Sequence, residues 1–198
     1  MEECAQCHFS VSTVRTLLGA DWVRLERLTD NANCLSLKEH RALEIVLDDF
    51  ERRFPQCFFA IYLGTLPASL TAADLGFWLI NHGAFHTQQI AKRNDFGTAL
   101  VIDCQRHVAA LTLGYALESH IHEAELRHIL SQMNSFLNRR RYGQALENAV
   151  GLFGRRLAQS ATRTLPDVPP GPGTGDLGGM GLQPLRAAHR HQRTGTKA

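Results

Sequence analysis

Residues 94–118, NDFGTALVIDCQRHVAALTLGYALE, decide the fold. Gly97 to Ile102 is an unbroken apolar run, which suits a strand buried on both faces. Asp103-Cys104-Gln105-Arg106 has turn chemistry, and Val108 to Leu113 returns as another apolar run, so the two strands pair as a hairpin. Working outward, Phe58 to Leu63 is a further short, β-rich and continuously apolar strand. Ser36 can cap a helix, and Glu39 completes a capping box. Leu43, Val46, Leu47 and Phe50 follow at helical spacing until Phe54-Pro55 ends the run. Thr71 to His82 reads as a second helix, with Leu75, Trp78 and Leu79 on one face. Beyond the hairpin, Ile121 to Leu137 is amphipathic through Leu126, Ile129, Leu130 and Met133, and Tyr142 to Leu157 buries Leu146, Val150 and Phe153. The order α-β-α-β-β-α-α predicts an α/β fold, a mixed β-sheet sandwiched by α-helices.

The remaining composition bounds what such a fold can do. At 198 residues with 44% hydrophobic content, the chain suits one cored domain with appendages. A formal net charge of +2 gives no general attraction for nucleic acid. No apolar stretch reaches the length of a bilayer span, and acidic Glu2 and Glu3 stand where a secretory signal would be basic. The expected location is therefore cytoplasmic. The cysteine count of five is odd, so no disulfide framework is expected in a reducing compartment, and Cys57 and Cys104 read as small buried hydrophobes.

Residues 1–27 carry Cys4-Ala5-Gln6-Cys7-His8, the spacing of a c-type haem attachment, and a short helix is expected around Val11 to Leu18. Covalent haem needs an exported chain, so haem is not expected. Cys4 and Cys7 could begin a zinc site, but no second pair completes four ligands, which leaves two reduced thiols as the default. Residues 28–158 form the expected globular domain. Residues 159–198 are rich in Gly and Pro and lack apolar periodicity, so a disordered tail is expected, its basic end holding His189, Arg190, His191, Arg193 and Lys197.

From Leu28 to Leu157 the order and spacing of several short pieces resemble the TPM domain, an α/β family found in bacterial envelope proteins and in a chloroplast protein of photosystem II repair. The pieces are Leu28-Thr29-Asp30 leading to Leu35-Ser36, Asn94-Asp95-Phe96-Gly97, Gly114-Tyr115-Ala116-Leu117-Glu118, Glu123-Ala124-Glu125 and Tyr142-Gly143-Gln144-Ala145-Leu146. The resemblance implies an acid-phosphatase-like activity with carboxylates holding Ca²⁺ or Mg²⁺. Carried over position by position, the metal ligands would be Asp30, Asp95, Glu118 and Glu123, with Asp95 and Glu118 as the catalytic pair acting on a phosphorylated substrate. Hard dications do take several carboxylate oxygens, and a bound one acidifies water. Two departures favour a degenerate site, and with it a non-catalytic module that binds a protein partner. Ala116 stands where the family has glycine, and Glu123 where aspartate is usual.

Other constellations have plainer readings. His120-x-His122 could chelate in an extended segment, and Glu125-x-x-His128 has ligand-pair spacing on a helix, but a polar helix start is the simpler account. His82 and His86 flank Gly83 in an expected loop. Arg139-Arg140-Arg141 suits a helix C-terminus. Asp30 and Asp95 also suit turns, and Glu123 and Glu125 suit a helix start.

Overall fold

A computed structural model describes residues 23–86 and 94–163. The expectations for Cys4, Cys7, Val11 to Leu18 and the chain beyond Arg163 lie outside the described residues. Every described residue belongs to one compact unit.

The element order is β1 (Val23–Glu26), β2 (Leu28–Asp30), α1 (Leu37–Arg53), β3 (Phe58–Gly64), α2 (Ala72–His82), β4 (Gly83–His86), β5 (Gly97–Asp103), β6 (Val108–Leu113), α3 (Glu123–Leu137) and α4 (Tyr142–Arg163), with 3-10 turns at Asn94–Phe96 and Tyr115–Leu117. Four strands form one sheet in the order β2-β3-β5-β6. The first three are parallel, and β6 returns antiparallel to β5 as the hairpin the sequence predicts. The sheet is mixed, as expected, with helices on both faces.

Local chemistry fixes the helix starts. Ser36 and Thr71 are N-caps whose side chains accept from the N–H groups of Glu39 and Asp74, and both acids return the bond to complete capping boxes. Every residue of β5 is buried, and its pleat divides the core. Leu100 and Ile102 pack with Phe50, Phe59 and Phe153 in one cluster, while Val101 joins Leu75, Trp78 and Leu79 in the other.

Three short strands are absent from the sequence reading. Leu28–Asp30 is a strand, not only a turn, pairing Leu28 with Ile61. Gly83–His86, expected as a loop, is β4 and lies parallel to β1. His82 closes α2 with its ring stacked on Trp78, centroids 5.4 Å apart. Runs of three or four residues are too short to show a period of two, so only their partners reveal them. Helix α4 also continues past Leu157 to Arg163, where Ser160 Oγ lies 3.2 Å from His120 Nδ1.

Helix α3 ends in a tight reversal, with the Arg141 N–H donating to Phe136 O at 2.9 Å. Exposed Arg140 sits there at φ 56°, a conformation that suits glycine. Arg140→Gly is expected to raise stability by about 1 kcal/mol, or Tm by about 2–4 °C, in a thermal melt. An unchanged or lower Tm would show that the guanidinium contributes more than the strain removes.

Candidate functional site

The two 3-10 turns meet at Gly114, whose N–H donates to Gly97 O at 2.8 Å. The carbonyl oxygens of Asn94 and Asp95 lie so near that a Cβ on Gly114 would stand far inside van der Waals contact. This close approach puts Asp95, before β5, and Glu118, just after the second turn, on the lining of one groove. Asn94 Nδ2 donates to Gly83 O at 2.8 Å and ties the first turn to the end of α2. Ala116 lies inside the second turn and is not among the residues with positive φ, so this position does not require glycine.

The two turns form one end of an open groove of about 610 Å³ between α2, the end of β6 and the start of α3. Phe77, Ile80, Leu111, Leu113, Ile121 and Leu126 supply its apolar lining. Exposed Asp95, Glu118 and Glu123 supply carboxylates from three separate chain segments. Tyr115 also borders it and is 83% exposed, the largest exposure among the large hydrophobic residues described. Glu123 makes a loose ion pair with Arg127, Nη1 to Oε1 3.5 Å, with both side chains exposed, which adds little stability.

Asp30 lies at the other end of the sheet. It pairs with Leu63, which pairs with Ile102, whereas Asp95 precedes Gly97 at the opposite end of β5. Roughly 17 Å of strand separates Gly97 from Ile102. The Asp30 carboxylate accepts the N–H groups of Cys34 at 3.0 Å and Leu35 at 2.8 Å, so it shapes the turn into α1. Among the described residues, no three His, Cys, Asp or Glu side chains are gathered closely enough to hold an ion. The four carboxylates therefore do not fit one dication as a single cage.

The paired histidines also separate. His122 lines the groove, while His120 lines a second cleft beside Phe54, Cys57 and Leu117 and contacts Ser160. Glu125 accepts the His122 N–H at 3.0 Å, which closes the start of α3.

At the carboxyl ends of β2 and β5 lies a cluster that the sequence reading did not assemble. Asp103 is 1% exposed, accepts the N–H groups of Gln105 and Arg106, and faces Arg106 Nε at 3.1 Å. Arg106 in turn donates to Leu66 O and Pro67 O and anchors that loop. Beside them stand Cys34 and Cys104, both half-buried. The Tyr142 hydroxyl lies 3.3 Å from Cys104 O and 3.2 Å from His107 Nδ1. Burial, with Cys104 and Cys34 alongside, pushes the Tyr142 hydroxyl up to about 12. One sequence signal was available: Asp103 is a carboxylate ending an otherwise apolar strand, at the end where open α/β sheets bind ligands.

A family model described as the TPM domain matches residues 28–156. Three solved structures share the fold. The BA42 protein of the psychrophilic bacterium Bizionia argentinensis aligns with a TM-score of 0.55 at 10% identity, covering 66% of this chain and 86% of that one. The N-terminal domain of a protein from P. gingivalis aligns at 0.54 and 18% identity, covering 74% and 88%. The N-terminal domain of a Corynebacterium glutamicum protein aligns at 0.50 and 11% identity, covering 66% and 78%. No curated protein matches the sequence.

Proposed function

The chain belongs to the TPM domain family, and within it we propose that this chain is a docking module whose groove receives a basic, apolar-anchored segment of a partner protein. The observation that carries this reading is the combination of an apolar lining, three carboxylates on the rim and exposed Tyr115 at the edge. Tyrosine offers a large contact area with little entropy to lose, and interface energy concentrates in such residues. The carboxylates would steer a cationic segment into place and set its register. The fold does not decide function, so the reading rests on this groove. Among the described residues no helix is long and apolar enough to cross a membrane.

A second reading is phosphoester hydrolysis dependent on Ca²⁺ or Mg²⁺. It is favoured by the juxtaposition of Asp95 and Glu118, which share the groove although they come from separate turns. One experiment with two arms separates the readings. The ¹⁵N-labelled full chain is titrated with an amphipathic Leu/Lys peptide, and hydrolysis of an aryl phosphate is followed with calcium, magnesium or chelator. Docking predicts shifts at Gly114, Tyr115, Glu118 and Ile121. Affinity is expected to fall about tenfold in Tyr115→Ala and about tenfold in Asp95→Asn/Glu118→Gln. Shifts elsewhere, or affinity indifferent to both variants, would overturn it. Dication-dependent turnover abolished by Asp95→Asn would replace it with the hydrolase reading.

A further inference from the structure

We propose that Cys34 and Cys104 are an oxidation site, a dithiol that closes into an intramolecular disulfide joining the turn before α1 to the β5–β6 hairpin. The two residues are 70 positions apart in sequence, but β3 brings them together. The Asn31 N–H donates to Leu63 O at 2.9 Å, and the Cys104 N–H donates to Gly64 O at 2.8 Å, so both segments are fixed to the same end of one strand. The Asp30 carboxylate holds the Cys34 N–H at 3.0 Å, and Tyr142 holds the Cys104 carbonyl from below. The Cys34 and Cys104 side chains pack against the same core cluster, and the Cys34 thiol is near enough to the Cys104 thiol and the Tyr142 hydroxyl to bias the ionisation of both. Both thiols are reduced and half-buried, so a small oxidant can reach them.

Burial, then the Cys34 thiol and the carboxylates of Asp30 and Asp103, push the Cys104 thiol well above its ordinary range. One of the two sulfurs attacks hydrogen peroxide, the O–O bond breaks, and sulfenic acid and one water form. The other sulfur then attacks the sulfenic sulfur, the S–S bond forms, the S–O bond breaks, and hydroxide leaves with the thiol proton as a second water. The dithiol loses two electrons and the peroxide gains them. A bond across so long a loop restricts the unfolded chain, and the oxidised domain is expected to melt about 10 °C higher.

The test treats the folded full chain with hydrogen peroxide, blocks remaining thiols, and digests with trypsin without reduction. The expected product is the peptide Leu28–Lys38 joined to Asn94–Arg106 with loss of two hydrogens, accompanied by a dithiothreitol-reversible rise in Tm. In Cys104→Ala, shown to be folded by its circular dichroism, dimedone is expected to trap sulfenic acid on Cys34 and the rise in Tm to vanish. Recovery of both cysteines in alkylated form, with the oxidation confined to Cys4 and Cys7, would overturn the proposal. So would a Tm rise that persists in Cys104→Ala. The docking or hydrolase readings do not enter this test.

Discussion

Replacing Arg27 by alanine is expected to lower the stability of the domain by about 3 kcal/mol, a fall in Tm of roughly 6–12 °C. Arg27 lies between β1 and β2 and is 7% exposed. Its Nη2 donates to Glu44 at 2.6 Å and Asp48 at 2.5 Å, its Nε to Glu44 at 3.1 Å, and its Nη1 to Glu51 at 3.2 Å. Burial opposes the charge, but the bonds to the three carboxylates outweigh it and raise the pKa of the guanidinium further. Glu44 and Asp48 are about a third exposed, so solvent screens their share, whereas the Glu51 side chain is only 7% exposed. Removing the cation leaves three like charges along one face of α1, one of them buried. That residual repulsion, more than lost attraction, sets the magnitude. Arg27→Met/Glu51→Leu should recover part of the loss in urea unfolding, because an apolar pair leaves no buried charge unpaired. A single Arg27→Ala variant within 1 kcal/mol of wild type would show that water reaches the cluster freely.

Gly114→Val is expected to cost about 3 kcal/mol and to remove groove binding altogether. The conformation at Gly114, φ −72° and ψ 152°, is open to any residue, so the requirement is space and not backbone freedom. A Cβ there would collide with the carbonyls of Asn94 and Asp95, which are backbone atoms and have no rotamer to change. The turn bearing Asp95 would have to move away from the turn bearing Tyr115 and Glu118, opening the end of the groove. Insertion into tight packing costs about 1–3 kcal/mol, and the two extra methyl groups of valine place this case at the upper end. Chemical denaturation reads the stability, and peptide titration reads the groove. A stable variant that binds normally would show that the two turns need not touch.

The sequence carried the main elements because their signals are local. The capping box at Ser36 and the periods of α2 and α3 reside within a few residues, and each helix appears where its residues placed it. The hairpin Gly97–Leu113 was equally legible, since two apolar runs about a polar turn leave few alternatives. Strands β1, β2 and β4 were not, because three or four residues bury too little to write a period.

The candidate site divides along the same line. Motif order in the chain grouped Asp30 with Asp95, Glu118 and Glu123, but order does not say at which end of a strand a residue stands. Asp30 closes the carboxyl end of β2, whereas Asp95 precedes the amino end of β5, and parallel pairing through β3 places them at opposite ends of the strands. The same pairing makes neighbours of Cys34 and Cys104. What the sequence determined by itself was the longer elements and the family; what only the tertiary structure decided was the short strands and which side chains meet. Helical and strand periods are properties of adjacent residues, while strand order and register are set by burial against the whole core.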